Sequence, residues 1–98
     1  MDLQLTSSEW NIVHQILSKY PYQFYAYGSR VKGTARELSD LDLCYQEHIP
    51  DAIAFQIEEE FKESDLPFMV ELVNWKDMRP EFRELIKNDL ILMWTAPT

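Results

Sequence analysis

The chain is short of glycine, cysteine and positive charge. Two glycines and five prolines in 98 residues leave no Gly-, Ser- or Pro-rich linker, no low-complexity tract and no internal repeat. The single cysteine, Cys44, excludes an internal disulfide and a cysteine-rich zinc site, and suits a reducing cytoplasm. Nine basic residues stand against seventeen acidic ones, a net charge of −8. So acidic a chain repels a polyphosphate duplex, which disfavours a nucleic-acid partner. No apolar run approaches the ~20 residues that cross a bilayer. The opening MDLQLTSSEW has neither the basic start nor the apolar stretch of a secretory signal. What is present, 46% hydrophobic and 27% charged residues, describes a soluble globular chain. Residues 1–98 are expected to form one domain.

Periodicity predicts an alternating order of elements. Thr6 and Glu9 have capping-box spacing, and Trp10, Val13, Ile16 and Leu17 share the helical face that follows, up to Tyr20-Pro21. Tyr22 to Tyr27 reads as an aromatic strand, residues 30–38 as a turn or short helix, and Asp40 to Tyr45 as a second strand. Pro50 opens a helix with Ile53, Ile57 and Phe61 inward and Glu58, Glu59, Lys62 and Glu63 outward. Phe68 to Asn74 is a third strand. Asp77 can cap a last helix with Phe82, Leu85 and Ile86 inward. Leu90 to Trp94 reads as a fourth strand or as an exposed docking segment. The expected fold is α/β (α+β): a small mixed sheet with helices packed against it.

The chemistry concentrates in Gly28-Ser29, ten further residues, then Asp40-Leu41-Asp42. Strand residues two apart share a face, so Asp40 and Asp42 stand side by side and repel unless a cation lies between them. Hard divalent ions such as Mg²⁺ take oxygen ligands of this kind. Glu71 interrupts the apolar strand Val70-Glu71-Leu72-Val73, where a carboxylate needs some offset for its desolvation. If the third strand lies beside the second, three carboxylates converge.

The stretch Gly28-Ser29-Arg30-Val31-Lys32-Gly33, with Ser39-Asp40-Leu41-Asp42-Leu43, resembles the nucleotidyltransferase superfamily typified by DNA polymerase β. The chain is similar over nearly its whole length to the stand-alone minimal nucleotidyltransferases, antitoxin-type partners of all-helical HEPN proteins. That resemblance implies a palm-like fold and transfer of a nucleoside monophosphate from an NTP, with ATP favoured, to a hydroxyl on a protein acceptor. The acceptor it implies is the HEPN partner toxin, with the chain acting as antitoxin. It implies two Mg²⁺ ions, with Mn²⁺ as a substitute, held by Asp40, Asp42 and Glu71 as catalytic and metal ligands. It further implies nucleotide binding by Gly28, Ser29, Arg30 and Lys32, a cytoplasmic setting, and homo- or hetero-oligomer formation. Glu71 stands where that family most often has aspartate.

Two other functions stay open on the residues. One is a binding module that neutralises its partner by occlusion with a weakened metal site. The other is a transferase acting on a small molecule. His14 and His48 lack metal-ligand spacing and are expected on the surface, and Cys44 in the core. Tyr22, Phe24, Tyr25 and Tyr27 are expected to pack within the sheet. Glu58-Glu59-Glu60 reads as a solvated helix face that could also meet a basic partner.

Overall fold

A computed structural model describes residues 3–97. Helix α1, Ser7–Leu17, begins at the expected capping box: the Thr6 hydroxyl accepts from the Glu9 amide, and the Glu9 carboxylate accepts from the Thr6 amide at 2.9 Å. It buries Val13, Ile16 and Leu17. Strand β1, Phe24–Tyr27, leads into the one-turn helix α2, Ser29–Lys32, and then to β2, Leu41–Tyr45. Helix α3, Asp51–Lys62, crosses over to β3, Val70–Asn74. A one-turn 3-10 helix, Trp75–Asp77, helix α4, Pro80–Ile86, and strand β4, Ile91–Trp94, complete the order.

The four strands lie in the order β3-β2-β1-β4. β2 and β3 run parallel, as the α3 crossover requires, while β1 is antiparallel to both β2 and β4. Strand parity sorts the side chains. Phe24, Ala26, Leu41, Leu43 and Val70 meet Val13, Leu17, Ile57 and Phe61 of α1 and α3 in the main core. Tyr27 and Cys44 face the other way, against Met78 and Ile86. The helices α1 and α3 are tied further by Glu60, which binds both the Lys19 ammonium and the Tyr20 hydroxyl.

Two expectations are corrected. Asp77 does not cap the last helix. Asn74 accepts from the Lys76 amide to start the 3-10 turn, and α4 begins at Pro80 with no side-chain cap. Of the three residues expected inward on α4, only Ile86 is buried; Phe82 is 40% exposed and Leu85 70%. Two helical turns touch the sheet along a narrow line, so positions flanking that line stay wet. Leu90–Trp94 resolves in favour of the strand: Met93 is buried and the Trp94 indole donates to the Tyr20 carbonyl, leaving Leu92 about half exposed.

Candidate active site

Both glycines of the chain shape the link between β1 and β2. Gly28, at φ 84° and ψ −154°, turns the backbone out of β1, and its carbonyl accepts from the Val31 and Lys32 amides to form α2. Gly33, left-handed at φ 75°, ends that turn. A Cβ on Gly28 would overlap the Asp42 carboxylate. Only a residue without a side chain lets the loop lie against that acid.

Strand register supplies the rest. Asp42 is opposite Tyr27 of β1 on one side and Glu71 of β3 on the other. Tyr27, Asp42 and Glu71 therefore form a row across three strands, on the sheet face that α4 only partly covers. Asp40 precedes β2 with the same parity as Asp42 and is exposed, as is Glu71. Asp42 is half-buried, and its pKa is pushed up to about 6, first by burial and then by the charges of Glu71 and Asp40. Among the described residues none of the three carboxylates forms an ion pair, so their repulsion is uncompensated.

This donor set fits a hard divalent cation. All three groups offer carboxylate oxygens, and a cation would relieve the repulsion by Glu71 and Asp40 that adds to burial in raising the Asp42 pKa. Among the described residues, no three acid, histidine or cysteine side chains stand close enough as placed to surround one ion. Asp42 is the anchored member; Asp40 and Glu71, both exposed, have the freedom to turn toward it.

The other expected residues separate. Ser29 follows Gly28 directly, opening α2 beside the row. Arg30 does not face the site. It is 4% exposed, its guanidinium donates to the carbonyls of Gln4, Glu37 and Ser39, and it stacks over Phe68 at 3.9 Å. The expectation that Arg30 neutralises phosphate is thus corrected: its charge is committed to holding the loop that returns to β2. Lys32 is exposed and lines a groove of about 560 Å³ with Val31, Thr34 and residues 88–91, whose walls include none of Asp40, Asp42 and Glu71. Tyr27 was legible only as a core aromatic. It is buried, its ring edge-on to Phe82, and burial followed by the Asp42 and Glu71 charges raises its pKa, keeping the phenol protonated. A second cavity, about 250 Å³, opens between α3 and β3 and includes Asp40 and Glu71.

Comparison with known proteins identifies the family. The family model described as "Polymerase beta, Nucleotidyltransferase" matches residues 11–96. The Haemophilus influenzae protein named "Probable protein adenylyltransferase MntA" is 40% identical over 95 residues, covering 93% of this chain and 83% of that protein. A solved toxin-antitoxin structure with AMP-PNP superposes at a TM-score of 0.67 with 18% identity, over 89% of this chain and 73% of its own, a likeness of fold. The chain belongs to the polymerase beta nucleotidyltransferase family and is a minimal nucleotidyltransferase.

Proposed function

We propose that the chain transfers AMP from ATP to a hydroxyl of a protein acceptor, an all-helical HEPN-type toxin, and thereby acts as its antitoxin. The observation that carries this reading is the in-register Asp42–Glu71 pair, with Asp40 alongside, packed against the Gly28 turn. The similarity to a relative named a protein adenylyltransferase and the fold shared with a toxin-antitoxin structure support it. The buried, unpaired Cys44 fits a reducing cytoplasm, and no helix among the described residues is long and apolar enough to cross a membrane.

In the proposed reaction the acceptor oxygen bonds to the α-phosphorus, the bond from that phosphorus to the α–β bridging oxygen breaks, and pyrophosphate leaves. Glu71 takes the hydroxyl proton, and Asp42 fixes the line of attack beside it. Gly28 admits the triphosphate close to the backbone and Ser29 offers it a hydroxyl donor. With Arg30 committed elsewhere, Lys32 is the remaining cation of the motif for the leaving group. Asp40, Asp42 and Glu71 would hold two Mg²⁺ ions, or Mn²⁺, which when bound neutralise the triphosphate and acidify the attacking hydroxyl.

The test is incubation with α-labelled ATP, Mg²⁺ and an all-helical HEPN-type protein. Covalent label on that protein, reduced at least ~10²-fold in Glu71→Gln, is the expected result. The carboxylates as placed do not enclose an ion, which favours a second reading, a module that neutralises its partner by binding alone. A tight complex without label would establish that reading and overturn the first.

A further inference from the structure

Helix α3 carries one residue out of phase with its own pattern. Ile57 and Phe61 point into the core, and the opposite stripe runs Asp51, Phe55, Glu58 and Lys62. Phe55 sits on that charged stripe and is 62% exposed. Nothing in the core accounts for an aromatic there. Across from it, Met69 precedes β3 and is 54% exposed, its backbone fixed by the Leu41 amide donating to its carbonyl at 2.9 Å. The two side chains line one cavity of about 250 Å³ whose other walls include Asp40, Glu71, Glu58 and Glu59. The only cation on this wall among the described residues, Lys62, is paired with Glu59 at 3.4 Å.

We infer that this groove between α3 and β3 docks the acceptor: a protein segment that is basic, carries apolar side chains, and brings its hydroxyl to Glu71. The inference rests on the protein-acceptor reading above and assigns that acceptor its surface. Charge selects the occupant. Four carboxylates, two of them on α3, against one paired ammonium disfavour an acidic segment and attract a cationic one. Phe55 and Met69 supply the apolar contact that a purely electrostatic encounter lacks, and an aromatic with a methionine is typical of an interface centre. Position supplies the reaction. The groove shares Asp40 and Glu71 with the carboxylate row, so a segment lying along it passes within reach of the proposed base. Sheet order leaves β3 as an edge strand, so no other strand blocks this side.

The experiment uses two fluorescein-labelled peptides, each with a tyrosine flanked by leucines, one bordered by arginines and the other by glutamates. Fluorescence anisotropy without ATP reads docking; transfer from α-labelled ATP reads chemistry. The basic peptide should bind about tenfold or more tighter than the acidic one, as for loss of an interface anchor. Phe55→Ser and Met69→Ser should each weaken its binding by a similar factor while leaving the KM for ATP unchanged. The double change Glu58→Lys, Glu59→Lys should reverse the preference between peptides. Equal affinities, absence of binding, or no effect of the Phe55 and Met69 changes would overturn the inference. A wild-type dimer in sedimentation that Phe55→Ser converts to monomer would give the groove to a second copy and also overturn it. Docking that follows charge with no label on any protein would instead overturn the transferase reading while leaving the docking surface in place.

Discussion

Gly28 and Gly33 both hold positive φ, yet alanine has different expected consequences at each. At Gly33 a Cβ meets nothing within 4 Å, so Gly33→Ala costs only the left-handed backbone penalty of about 1 kcal/mol. Its Tm should fall by about 4–8 °C with transfer unchanged. At Gly28 the backbone lies in a region essentially reserved for glycine, and the new Cβ pushes on Asp42. Gly28→Ala should lower the Tm further and cut transfer by about 10²-fold or more, since displacements near 1 Å cost that much. Arg30 makes a third contrast. Lysine cannot reproduce a fork that reaches three carbonyls and stacks on Phe68. Arg30→Lys should lose about 2 kcal/mol in a urea melt and leave the KM for ATP unaltered.

Among the elements, α1, α3 and the first three strands were legible from their patterning and flanking turn residues. The unbroken apolar run 90–94 has no period and left β4 open between a strand and a docking segment. The Asp-x-Asp pair was legible from patterning too: spacing two in a strand is spacing on one face. The neighbour relation of Asp42 with Glu71 was legible only as a condition, since register across β2 and β3 depends on how α3 crosses over. Arg30 was misread because a cation folded beneath a loop and one in solvent have the same local sequence. Phe82 and Leu85 were misread because the period marks a helix face without saying how much of it is covered. Strand β4 closes the sheet against β1, and this settles what removing it does. A chain truncated after Asp89 loses buried Met93 and the Trp94–Tyr20 bond, and opens one whole side of β1. We expect it to lose its cooperative thermal transition, as followed by near-ultraviolet circular dichroism.

At the scale of the whole molecule, the net charge of −8 and the carboxylate row make stability depend on pH in an unusual direction. The folded-state pKa of Asp42, about 6, lies above the ordinary value of 3.8. The native state therefore binds the Asp42 proton more tightly than the unfolded state does. Its contribution to stability is full below about 3.8 and is lost as pH rises through about 6. Asp42→Asn should remove this loss. After allowance for partial solvent screening, the metal-free variant should exceed wild type by ~1–2 kcal/mol at pH 7. The gap should close as melts are taken toward pH 4, and shrink when millimolar Mg²⁺ and ATP stabilise the wild type. The pairing of β1 with β4 has a kinetic consequence as well. Ala26 and Ile91 are partners two thirds of the chain apart, whereas β1 meets β2 across the shorter connection of residues 28–40. Closing the longer loop costs more entropy, so the β1–β4 ladder should form after the folding transition state. Met93→Ala should then accelerate unfolding far more than it slows refolding in stopped-flow measurements. Until Ile91–Trp94 arrives, Phe24–Tyr27 is an uncharged, aromatic strand with one open side, the kind of segment that recruits other chains. A nascent chain stalled before Ile91 should therefore be aggregation-prone.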